Sequence, residues 1–198
     1  MEKEFLADRL RVRIYPDRKS MGEAAAADIA AAIRRVLAEK ECCNMIFAAA
    51  PSQNEVLAAL AADKTVDFAR INAFHMDEYC GLAPSAPQSF GNFLRAAIFE
   101  KAPFRSVHYL NGNAADIPAE CARYGALLEA FPTDIVCLGI GENGHIAFND
   151  PPVANFHDPV LCKQVALDPV CREQQVHDGC FSALEQVPTH ALTLTVPA

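Results

Sequence analysis

Two kinds of segment alternate along this chain, and the alternation restricts its fold more than any other feature. Apolar, strand-like runs occur at 10–15, 44–50, 71–76, 107–110, 134–140 and 191–196. Between several of them lie alanine- and leucine-rich stretches with helical spacing, at 20–40, 89–99 and 118–131. The first opens on a serine and ends among basic residues, which suits a helix terminus. Strand and helix alternating in this way predicts an α/β fold with a mostly parallel central sheet covered on both faces. At 198 residues, with 52% hydrophobic and 21% charged residues, residues 1–198 read as one globular domain.

The same numbers exclude several classes. A net charge of −8 without any basic run argues against a nucleic-acid surface, although a few local donors still suffice for a small anion. No window approaches eighteen consecutive apolar residues, and the stretch MEKEFLADRLRVRIYP lacks an apolar signal core. A soluble cytoplasmic protein without membrane partners is expected, and a homo-oligomer is compatible with it. The eight cysteines form no Cys-x-x-Cys pair, so free thiols are expected rather than a metal site or disulfides.

In parallel sheets, ligands bind in the loops at the carboxyl ends of the strands. Three such loops carry polar residues: APSQNE from Ala50, MDEYCGL from Met76, and GENGHIAFNDPP from Gly141. They are far apart in sequence, yet one sheet would bring them together around a shared pocket.

These segments resemble the glucosamine-6-phosphate deaminase (isomerase) family. FHMDEYCGL (74–82) is similar to its Asn-Met-Asp-Glu-Tyr-Val-Gly-Leu segment, and GIGENGHIAFNDP (139–151) to its Gly-His-Ile-Ala-Phe-Asn-Glu-Pro signature. LNGNAADIPAECARY (110–124) and QVPTHALTLTV (186–196) are similar to two further segments, in the family's order. The resemblance implies a Rossmann-like three-layer sandwich that converts glucosamine 6-phosphate and water to fructose 6-phosphate and ammonia, with no metal and no redox cofactor. The resemblance implies further elements after Ala198, so the sequence is expected to be either a truncated chain or one that lacks the family's closing elements.

An aldose-to-ketose shift must open the sugar ring, remove the C2 proton and return a proton to C1. Asp77 is the expected base. Apolar neighbours would desolvate it and raise its proton affinity, though Asp also commonly caps a turn. His145 titrates near neutrality and suits the proton exchange of ring opening, with Asp150 and Asn143 as orienting partners. Gly141 and Gly144 would let the backbone approach the sugar. Asn143 and Asp150 depart from the family's usual Asp and Glu, and the shorter Asp150 reaches the imidazole only if the backbone shifts. Glu78 is given a supporting place at the substrate.

The family's Gly-Gly phosphate turn is replaced here by Ser52, Gln53 and Asn54. Ser52 followed by Glu55 also reads as a capping box, so this loop is either a phosphate site at a helix N-terminus or a structural cap. Arg172 and His177, with Lys163, lie where the resemblance implies cationic phosphate contacts. Two other functions compete with the deaminase: a lactone hydrolase resembling 6-phosphogluconolactonase, and a non-catalytic sugar-phosphate binder. Asp77 together with His145 favours the enzyme, since a binder needs neither.

Overall fold

The computed structural model describes residues 1–198. The chain opens with an antiparallel hairpin of β1 (Lys3–Ala7) and β2 (Leu10–Ile14), which turns at Asp8 with φ 55°. The strand expected at 10–15 is therefore present but stands outside the central sheet. Helix α1 (Arg18–Glu39) begins one turn's reach earlier than its serine suggested. The Asp17 carboxylate accepts from the Ser20 backbone N–H at 2.7 Å and caps it.

The core elements follow as β3 (Cys43–Phe47), α2 (Asn54–Ala62), β4 (Ile71–His75), β5 (Asp77–Tyr79), α3 (Phe90–Leu94), β6 (Ser106–His108), α4 (Ile117–Ala130) and β7 (Ile135–Cys137). Four of the strands form a parallel sheet in the order β6-β4-β3-β7. The sheet grows outward from β3 through β4 to β6, then the chain crosses back and lays β7 on the other side of β3. That reversal leaves a crevice between the loops following β3 and β7, where a ligand of a doubly wound sheet is expected. The last rung is the Ala48 N–H on the Cys137 carbonyl at 2.9 Å. The strand expected over 134–140 ends there, because β7 is an edge strand and Leu138–Ile140 leave the sheet, with Ile140 72% exposed.

Strand β3 shows why both faces are covered. Cys43, Met45 and Phe47 join Ile33 of α1 and Leu57 and Leu60 of α2 in one apolar cluster. Ile46 and Ala48, on the opposite face, join Phe74, Tyr124 and Leu128 of α4 in another. Full burial of each large side chain stabilises the layers by roughly 1.5–3 kcal/mol. Helix α1 approaches α2 so closely that a Cβ on Gly22 would lie 2.4 Å from the Glu55 Cβ.

A second, antiparallel sheet of order β5-β9-β8 adjoins the first, formed with β8 (Cys162–Ala166) and β9 (His190–Leu194). Met76 is the hinge between the two: its N–H bonds to Phe47, and its carbonyl accepts from Leu194. The expected strand at 191–196 is thus present, but antiparallel. Helix α5 (Pro169–His177), capped by Asp168, lies between β8 and β9 and was not expected. The expected helix 89–99 forms as α3 continued by a wider π turn over Arg95–Phe99. No helix is long and apolar enough to cross a membrane.

Candidate active site

A cavity of about 460 Å³ opens at the crevice between β3 and β7. Asp77 and His145 both line it, together with Ser52, Gly141 and Phe148. Asp77 is the first residue of β5, directly beyond the hinge at Met76 and opposite Thr193 of β9. It is 6% exposed, and its buried Oδ1 has no hydrogen-bond partner. Burial, followed by the charge of Glu78, pushes its carboxyl up to about 8. A carboxylate without compensating donors is a poor structural cap and a strong proton acceptor.

The loop after β7 folds back on itself to present His145. Gly141 N–H donates to the His145 carbonyl at 2.9 Å, and the imidazole lies so close over Gly141 that a Cβ there would fall 2.1 Å from His145 Cε1. Gly144 turns the chain at φ 85°. Asn143 Oδ1 accepts from the His145 N–H at 3.1 Å and faces Nδ1 at 2.6 Å. Asp150 Oδ1 lies 3.1 Å from the same Nδ1 and accepts from Asn143 Nδ2 at 2.9 Å. Both groups facing Nδ1 are acceptors, so that nitrogen carries the hydrogen, and Nε2 is left as the proton-accepting lone pair. Burial alone would raise the Asp150 carboxyl; the hydrogen bonds from His145 and Asn143 outweigh it and hold the group below its ordinary value. The shorter Asp150 therefore reaches the imidazole. It can do so because Asn149 donates to the Leu194 carbonyl, and Phe148 N–H to Thr193 Oγ1, pinning the loop to β9. Cys171 Sγ completes a trio of ligand-type atoms within 4.8 Å of one another, but the carboxylate among them is already committed to His145 and Asn143.

The loop after β3 departs from the capping-box expectation. Pro51–Gln53 form a 3₁₀ turn ahead of α2, and no side chain caps it. Ser52 stands in the cavity wall facing Gly139, Gln53 is buried beneath, and Asn54 is exposed outside the cavity. Glu55 does not return to Ser52. Arg18 of α1 takes it instead, donating from Nε at 2.9 Å and Nη2 at 2.7 Å, a charge-assisted fork stronger than a backbone N–H.

Besides Asn54, four expected substrate contacts lie elsewhere. The Glu78 carboxylate accepts from Ser89 Oγ at 2.7 Å and from the N–H groups of Tyr79, Phe90 and Gly91, so it ties β5 to the start of α3. Arg172 Nη2 donates to the Leu184 and Val187 carbonyls, bracing α5 outside the cavity. His177 is exposed at the end of α5, with Nδ1 3.9 Å from Glu142. Lys163 is also occupied, by Asp158 and the Val153 carbonyl. All eight cysteines are free thiols.

A family model described as glucosamine-6-phosphate isomerases/6-phosphogluconolactonase matches residues 16–157. The chain belongs to this family. A glucosamine-6-phosphate deaminase of Exiguobacterium sp. is 38% identical over 129 residues, covering 65% of this chain and 49% of that protein. One from Listeria monocytogenes is 37% identical over 153 residues, covering 77% and 63%. The chain thus spans about half to two thirds of the length of these relatives. The solved structure of a monomeric glucosamine-6-phosphate deaminase superposes with a TM-score of 0.80 at 28% identity, over 91% of this chain and 74% of that one.

Within this glucosamine-6-phosphate isomerase fold, several cavity residues had no local signal in sequence. Arg18 lies 37 positions from the glutamate that holds it. Gln174, Gln175, Asp178 and Cys180 enter from α5 and the turn after it. Only the Asp168-Pro169 pair, a helix start, could have announced that helix.

Proposed function

We propose that this chain isomerises and deaminates glucosamine 6-phosphate to fructose 6-phosphate and ammonia. The observation that carries the reading is the pairing, on one cavity, of a buried carboxyl without hydrogen-bond donors, Asp77, with an imidazole oriented through Nδ1, His145. His145 Nε2 takes the proton of the anomeric hydroxyl and returns it to the ring oxygen, opening the sugar. Asp77 then removes the proton from C2 while O1 takes one from the substrate's ammonium group, giving an enolamine, and Asp77 delivers its proton to C1, giving a protonated ketimine. Water adds to the ketimine and ammonia leaves. Asn143 and Asp150 hold the imidazole, and Gly141 and Gly144 keep the loop clear of side chains.

In this reading Ser52 and the start of α2 receive the phosphate, since the positive end of a helix dipole favours an anion and no side chain caps this one. The partner is a small sugar phosphate, the chemistry requires neither metal nor redox cofactor, and the compartment is the cytosol. Coupled detection of ammonia and fructose 6-phosphate from glucosamine 6-phosphate tests it. Hydrolysis of 6-phosphogluconolactone without ammonia release from the amino sugar would overturn it.

A further inference from the structure

The cavity contains one lysine or arginine, Arg18, against the carboxyls of Asp77 and Asp178. A phosphomonoester carries about −1.5 to −2 charges at neutral pH, more than a helix terminus of roughly half a charge offsets. Arg18 is the first residue of α1, and Gly22 one turn later lets α1 settle on the start of α2. The guanidinium is thereby brought beside Ser52. It is held there by Glu55 on Nε and Nη2 and by the Pro51 carbonyl at 2.7 Å, also on Nη2. Those bonds leave Nη1 for an incoming anion, and the side chain is 57% exposed.

We propose that Arg18 is the cationic ligand of the substrate's phosphate and that Glu55 is its resident counter-ion. This rests on the reading of the cavity as a sugar-phosphate site. The phosphate sits at the mouth between Arg18 and Ser52, and the sugar carbons reach inward to Asp77 and His145. Glu55 acts through Arg18: it aims the fork and, in the empty site, neutralises it. The two residues therefore have opposite effects on an anion. Removing the guanidinium weakens binding, whereas replacing Glu55 by its amide keeps an acceptor for the fork while unmasking the positive charge. A pair that only braced α1 against α2 would show no such opposition.

The test is calorimetric titration with inorganic phosphate and with glucose 6-phosphate, which lacks the amino group, using glucose as the uncharged control. Arg18→Met is expected to raise both phosphate dissociation constants roughly tenfold or more, and Arg18→Lys to recover part of the loss. Glu55→Gln is expected to lower them about two- to fivefold at low ionic strength, less in high salt. Glucose affinity should not change. With glucosamine 6-phosphate, KM should follow the same pattern while kcat moves by less than about threefold, as expected of binding shared by ground and transition states. Phosphate affinity unaffected by Arg18→Met overturns the proposal. So does a shift in the same direction for Arg18→Met and Glu55→Gln, and so does a wild-type protein that binds neither phosphate probe. If no ammonia forms yet phosphate binding depends on Arg18, the deaminase reading falls and this one stands. Ammonia release with phosphate binding indifferent to Arg18 gives the reverse.

Discussion

Burial and the Glu78 charge push the Asp77 carboxyl up to about 8, so at pH 7 most of it carries its proton. With Asp77 as the base of the proposed reaction, activity should rise with pH: kcat/KM is expected to climb through an apparent pKa near 8, and a flat profile from pH 6 to 9 would exclude that role. An ammonium group on the bound substrate favours the ionised carboxylate, so the kcat profile should rise at lower pH than kcat/KM. Asp77→Asn should lose at least about 10²-fold in kcat while still binding substrate, as is usual for a positioned base. Near-normal exchange of the C2 proton with deuterated water in that variant would contradict the assignment. The proposed mechanism gives His145 a separate task. His145→Gln should be slow on cyclic substrate but keep part of its activity on an analogue locked open, and equal losses on both would place the histidine in the later steps as well.

Loops and strands set how close these groups come. Gly141→Ala would place a Cβ 2.1 Å from His145 Cε1, and the clash is with a ring clamped by Asn143 and Asp150. The ring must swing, so a loss of about 10²-fold in turnover is expected with a stability change of only about 1–3 kcal/mol. Activity and Tm measured together check this, and unchanged turnover would mean that the ring orientation is not limiting. Much of this arrangement was legible in sequence. Continuous apolar runs such as residues 45–50 announce buried parallel strands, and the glycines around His145 announce a tight loop. The short strands β5 and β8 were not legible. Asp77-Glu78-Tyr79 and Cys162–Ala166 mix polar with apolar residues, and they become strands only by pairing with β9, which for β5 lies more than a hundred residues away. Glu78 was misplaced for a related reason. Its neighbour's position in a motif says nothing about the unpaired N–H groups of α3, which claim its carboxylate.

For the whole molecule, two buried ionisable groups two residues apart give the stability a particular dependence on pH. His75, where the resemblance has Asn, is fully buried and held neutral: burial lowers its imidazole to about 3 from an ordinary 6.5. The unfolded chain binds this proton below pH 6.5 and the native chain does not, so the contribution is complete above pH 6.5 and is lost as pH falls toward 3. Asp77 acts in the opposite sense. Its native proton stays on up to about pH 8, whereas the unfolded carboxyl releases it near 3.8, so the stability it confers is complete at low pH and is lost as pH rises from 3.8 to 8. Between about pH 4 and 6.5 the two slopes cancel; above 6.5 only Asp77 acts, and stability should fall by about 1.4 kcal/mol per pH unit until pH 8. Against a total of roughly 5–15 kcal/mol, such a change is readily measured. The Tm of Asp77→Asn should gain on wild type between pH 5 and 8 by an amount on the order of 10 °C. His75→Asn, which keeps an acceptor for the Leu110 N–H, should remove the compensation, so that this variant loses stability continuously from pH 4 upward. Tm differences from wild type that stay constant with pH in both variants would show that neither buried group changes its proton affinity on folding.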